Sequence, residues 1–204
     1  MSETESGCNQ MIELMINRRS VRSYTDAQVP EQLLDAVLEA GLYAPTGGNH
    51  QYTRFIAIQS SRALEQLNEI VRNNFSAREI VEGCYQNKTI RKAKMEHYHC
   101  FYHAPVLILV VSPSDHCNSM ADSANALENM QLAATSLGLG ACWINQIHWL
   151  TDDQRMREYL YGLGMEQTES VFGSIVIGFP ANQGKGCHIR PERKAGRVVK
   201  IKGG

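Results

Sequence analysis

The sequence predicts an α+β fold in which a small sheet is covered by helices. Three observations carry that expectation. The chain has 204 residues, 43% hydrophobic and 20% charged, enough apolar material to close one packed domain over residues 1–204. Helical and strand-like patterns alternate only loosely, without the regular repeat of a doubly wound sheet. Strand-like runs are few, and the strongest, Val106–Val111, is a continuous apolar stretch bounded by Pro105 and Pro113, as a strand buried on both faces requires.

The other elements follow in order. Met11, Ile12, Leu14, Met15 and Ile16 give residues 11–17 the broad apolar face of a short helix. Pro30 suits a first helical position, and Leu33, Leu34, Val37, Leu38 and Leu42 continue with helical spacing until Ala44-Pro45-Thr46-Gly47-Gly48-Asn49 stops it. Phe55–Ile58 reads as a strand and Ser60–Val71 as an amphipathic helix. Residues 72–103 are polar and read as mostly helix with a mobile part. Asp122–Leu137, rich in alanine and leucine, predicts a long central helix ended by Gly138 and Gly140. Thr151 with Gln154 has the spacing of a capping box opening a short helix toward Tyr161. Val171–Ile177 is the last strand-like run. Residues 181–204 have too few apolar side chains to fold on themselves and read as an extended tail along another surface.

Charge and composition exclude several function classes. Twenty Lys and Arg against 21 Asp and Glu leave a net charge of −1, so no global field draws the chain to nucleic acid or an acidic membrane. No apolar run reaches membrane-spanning length, and Met1–Gln10 lacks the order of a secretion signal. Six scattered cysteines without a C-x-x-C pair read as reduced thiols in a cytoplasmic protein.

Any bound anion must therefore be held locally. Arg18, Arg19 and Arg22, with Ser20 among them, form the densest cationic cluster; guanidinium forks and a hydroxyl match a phosphate, though a solvated turn after a helix would read the same way. Pro45–Gln51 combines two glycines, which permit close backbone approach, with the amides Asn49 and Gln51, or else simply stops a helix. Leu137–Trp143 contains a lone G-x-G, too weak for a dinucleotide loop. Arg190-Pro191-Glu192-Arg193-Lys194 is a second possible anion contact.

Taken together, R-R-S-V-R at 18–22, A-P-T-G-G-N-x-Q at 44–51, E-N-M-x-L-A-A-x-S-L-G-L-G-x-C-W-I at 128–144, G-x-x-x-I-G-F-P at 173–180 and R-K at 193–194 resemble the nitroreductase family of FMN-dependent NAD(P)H oxidoreductases over nearly the whole chain. The resemblance implies a small, mainly antiparallel sheet flanked by helices, in an interlocked homodimer whose C-terminal tail, 181–204, reaches the partner. It implies FMN at the subunit interface, with Arg18, Arg19 and Ser20 on the phosphate, helped by Arg193 and Lys194. Arg22 would stand beside the flavin N1/O2 edge. Pro45, Thr46, Gly47 and Asn49 of the other subunit would line the ring, and Gly140 and Ala141 would offer N–H groups near N5 and O4. NAD(P)H would reduce the flavin, and nitroaromatic, quinone-like or related electron-poor acceptors would reoxidise it in a ping-pong cycle. No side chain is needed as a general acid, so no catalytic residue is nominated.

The sequence departs from the pattern in places. Tyr52 and Thr53 stand where many relatives have Pro-Trp, and a one-residue slip makes Arg190 a rival for the phosphate. Residues 72–103 fall in the family's variable, substrate-facing region. Within them His97, His99, Cys100 and His103 offer ligands to a soft divalent metal, but no second ligand cluster accompanies them; an aromatic lid or ordinary packing are the other readings. A flavin storage or sensor module, or a specialised relative such as a reductive dehalogenase, are the alternative functions.

Overall fold

The computed structural model describes residues 3–181 and 191–202, with side chains from Asn9 onward. Its helices are α1 (Glu3–Asn17), α2 (Glu31–Leu42), α3 (Ser61–Ser76), α4 (Asn87–Ala93), α5 (Ser119–Ser136) and α6 (Gln154–Gly162). Its strands are β1 (Arg54–Ile58), β2 (Val106–Pro113), β3 (Gly140–Ile144) and β4 (Glu169–Gly178). The strands form one antiparallel sheet in the order β1-β2-β4-β3. The fold is α+β, as the sequence predicts.

The central strand β2 divides the core by simple alternation. Leu107, Leu109 and Val111 face a layer containing Leu67, Val71 and Phe75 of α3 and Met156 and Leu160 of α6. Val106, Ile108 and Val110 face Val37 of α2 and Leu127 and Met130 of α5. All six β2 side chains are fully buried, which explains the unbroken apolar run. Gly173 lets α5 lie close on β4, for a Cβ there would come 2.5 Å from Leu127 Cδ1. No helix among the described residues is long and apolar enough to cross a membrane. Cys84, Cys100, Cys117 and Cys142 are free thiols; Cys8 and Cys187 lie outside the described side chains.

Four expectations change. α1 begins well before residue 11. Residues 72–103 are not mostly helix: α3 continues to Ser76 and α4 adds a short segment, and turns make up the rest. The Asn87 side chain stabilises one of these turns by accepting from Val81 N–H and donating to its carbonyl, which substitutes for helical bonds. The cap of α6 is Asp153, whose carboxylate accepts from Met156 N–H, and not Thr151. Finally, Gly140 does not end α5 but opens the unanticipated edge strand β3; Gly138, at φ 75°, makes the stop.

Candidate active site

β3 is a sheet edge, and the arginine-rich segment after α1 covers it. Ser20 bridges to Ala141 in parallel, and Val21 N–H donates to the Ala141 carbonyl at 2.9 Å. The chain then ties itself to the end of β4: Thr25 N–H donates to Phe179 O, and Ala181 N–H to Ser23 O. Gly140 makes this approach possible, because a Cβ would lie 2.8 Å from the Val21 side chain. Two motifs separated by over a hundred residues are thus one structural unit.

The cations of that unit differ in their surroundings. Arg18 donates to Gln131 Oε1 at 3.3 Å and stands 3.8 Å from the half-exposed Glu128 carboxylate. Arg19 donates to the carbonyls of Ile16 and Arg18, clamping the end of α1. Arg22 sits beside Tyr102, Cys142 and Tyr24; burial works against its charge, but the polar sulfur and phenol groups outweigh it and raise the guanidinium pKa. Burial in turn pushes the Cys142 thiol up, against the pull of Arg22, Ser20 and Arg18. A buried, protonated thiol is the result.

Two cavities open beside Arg22. One, of about 660 Å³, is lined by Arg22, Tyr24, Asp26, Glu96 and the 97–103 turn. The other, of about 550 Å³, is lined by Arg22, Lys88, Trp143, Asn145, Gln146 and Trp149. Lys92, Tyr98 and Tyr102 belong to both, so the two spaces share a wall. Asn145 and Gln146, just past β3, are site residues that sequence reading missed; one adjacent pair of amides gives no motif. Gly140 and Ala141 are buried and carry the Ser20–Arg22 segment.

The glycine loop stands apart from this cluster. Gly47 N–H donates to Asp122 Oδ1 at 3.0 Å, and Asn125 Nδ2 donates to the Pro45 carbonyl, which anchors the loop near the start of α5. Thr46 Oγ1 accepts from Gln51 N–H. Asn49 Oδ1 accepts from Gln51 Nε2, and both residues have positive φ, 55° and 54°. Arg18 instead meets Gln131, nine positions farther along α5, which is about 13 Å of helix. Arg193 and Lys194 lie in an exposed segment without regular structure, and Arg190 is outside the described residues.

The histidine-rich turn forms a different cluster from the one the sequence suggested. Glu65, from α3, joins His99 and His103, with ligand atoms within 4.8 Å of one another. His99 Nδ1 accepts from the N–H groups of Phe101 and His103 at 3.3 Å, which places the ring proton on Nε2, 3.2 Å from Glu65 Oε1. A metal on Nε2 would force that proton onto Nδ1, against two donors. Cys100 is buried, with its N–H donating to Asn68.

Comparison with known proteins agrees with the fold. A nitroreductase with bound FMN from Bacteroides fragilis is 37% identical and superposes with a TM-score of 0.84, over 95% of this chain and all of its own. A nitroreductase with bound FMN from Desulfitobacterium hafniense shares the fold at 20% identity, with a TM-score of 0.80 over 95% of this chain and 99% of its own. The FMN reductase (NADPH) of Bacillus subtilis is 24% identical over 184 residues, 85% of this chain and 67% of its own. The nitroreductase family model matches residues 15–179, and the chain belongs to that family, whose members are FMN-dependent NAD(P)H oxidoreductases.

Proposed function

We propose that the protein is a cytoplasmic, homodimeric oxidoreductase that uses FMN to pass electrons from NAD(P)H to nitroaromatic, quinone-like or related electron-poor acceptors. The observation that supports this reading is the covered edge of β3, where Ser20 pairs with Ala141 and Arg22, two residues on, lines the cavity of Asn145 and Gln146. This donor set fits FMN. Guanidinium and hydroxyl groups at the start of the segment suit its phosphate, and a cation with two amides suits the polar edge of its ring. When bound, FMN accepts a hydride from the nicotinamide and returns electrons to the acceptor, in separate half-reactions at one place.

The chain's own residues bind and tune. Arg18, Arg19 and Ser20 hold the phosphate, joined by Arg193 and Lys194 of the tail. Arg22, fixed by Tyr102, puts positive charge where the reduced ring becomes negative, which favours reduction. Gly140 and Ala141 hold the segment in place. Pro45, Thr46, Gly47 and Asn49 come from a second copy, as the family resemblance implies; in one chain they are anchored at Asp122 and Asn125, apart from the residues that line the cavity of Arg22. Exposed apolar side chains support that pairing: Met11, Ile12 and Met15 on α1, and Val198, Val199 and Ile201 in the tail, are all about half exposed or more.

Anaerobic mixing with NADPH or NADH should bleach the absorbance of the flavin-loaded protein within a turnover time, and a nitroaromatic or quinone should restore it. Flavin that stays oxidised with both donors overturns the reading and leaves a storage or sensor module in its place.

A further inference from the structure

The cavity of Asn145 and Gln146 carries charge of one sign. Arg22, Lys88 and Lys92 line it, and among the described residues no carboxylate does. Asp26 and Glu96 line the neighbouring space, beyond the shared wall. Lys88 and Lys92 lie four apart on α4, so their ammonium groups extend from one helix face. Neither is ion-paired: the ion pairs among the described residues involve Arg18, Arg54 and His99. Two like charges on adjacent turns repel, and the repulsion is relieved when an anion sits between them.

The remaining walls are aromatic. Tyr85, Trp143 and Trp149 face this space, and Trp149 is held by edge contacts with Phe75 and Tyr85 at centroid distances of 6.1 and 5.8 Å. The cationic end is not the proposed phosphate clasp. Arg18 is held at Gln131 and Glu128 of α5, whereas Lys88 and Lys92 group with Arg22 around the cavity.

The geometry points to an aromatic acceptor that itself carries an anionic group, a carboxylate or the like, with its ring against Trp149 and its charge on Lys88 and Lys92, beside the flavin edge that Arg22, Asn145 and Gln146 would hold. This rests on the reading that Arg22 marks the position of the flavin ring. It goes beyond that reading by naming a charge requirement for the acceptor, set by a helix in the chain's variable region.

Equilibrium titration of the flavin-loaded protein with 4-nitrobenzoate and with its neutral analogue 4-nitrobenzamide, without nicotinamide, tests the charge requirement apart from turnover. Wild-type protein should bind the benzoate about tenfold more tightly or better, the range of a charge-assisted contact. K88Q/K92Q should reduce the ratio to near one, and K88E/K92E should reverse it. K94Q, just beyond α4 and outside the cavity, should keep it. Equal affinities in the wild type, or a ratio that survives K88Q/K92Q, overturn the proposal. So does a double variant that changes the NADPH-to-NADH affinity ratio while the benzoate preference stays, which would assign the lysines to the donor's phosphate. If the flavin is reduced by neither donor but the benzoate preference still follows the lysines, the oxidoreductase reading fails and the anion site stands.

Discussion

Tyr102 and His103 are consecutive residues in the left-handed region, with φ of 55° and 56°. That conformation costs a non-glycine residue on the order of 1–2 kcal/mol. His99 offsets it by accepting both the Phe101 and His103 N–H groups, while Phe101 is fully buried beneath. The result turns Tyr102 toward Arg22, so strain in the turn serves the cationic site. Burial lowers the His99 pKa, His103 lowers it further, and Glu65 only partly opposes this. A base whose folded pKa lies below its unfolded value binds protons more readily when unfolded, so stability is lost as pH falls below the unfolded value of about 6.5. The melting temperature should therefore decline from pH 7 to pH 5, and H99N, which keeps an acceptor without a basic ring, should flatten the decline. Equal slopes in the two proteins would show that His99 does not carry this linkage. The Arg18–Arg22 cluster was legible in the sequence because its members are neighbours. Tyr102, Asn145, Gln146, Lys88 and Lys92 were not, since only the fold brings them to Arg22.

At the scale of elements, legibility follows how much of the structure is encoded locally. β2 announced itself through six buried apolar residues in a row, and α5 through small and apolar residues at most of its inward positions, Asp122 and Gln131 being the polar exceptions. β3 is five residues long and begins at a glycine; its strand character comes from pairing with β4 on one side and from Ser20 and Val21 on the other, which a local pattern does not contain. The spacing of Thr151 and Gln154 pointed to Thr151 as the cap of α6, yet Asp153 caps it, and a second contact reinforces that role. One of its oxygens accepts from Met156 N–H at 2.9 Å and the other from Asn74 Nδ2 at 2.8 Å, so the cap also pins α3 to α6. D153A should cost about 1–2 kcal/mol, read as a lower urea midpoint at unchanged slope, with flavin binding intact. T151A should cost less than D153A; the opposite order would restore the cap to Thr151.

At the scale of the molecule, the two halves of the proposed site occupy different places on one chain. The loop of Pro45–Asn49 is fixed to Asp122 and Asn125, and the arginine segment is fixed to β3 and to Gln131, farther along the same helix. α5 holds them apart on one chain, and in the proposed homodimer each copy would supply the half that the other's site lacks. This has a consequence that single variants cannot show. R18Q/S20A should weaken the phosphate clasp, and N49G should remove the loop's side chain while keeping its positive φ, so each protein alone should lose most of its flavin affinity. When the two are unfolded together and refolded at equal amounts, about half the dimers should be mixed. In a mixed dimer one site inherits both defects and the other inherits neither. The refolded mixture should therefore regain about a quarter of wild-type flavin sites, counted by absorbance of tightly bound flavin after gel filtration. Recovery of none, from dimers shown to be mixed, would mean that each chain builds its site alone, and the loop's assignment to the partner would fall.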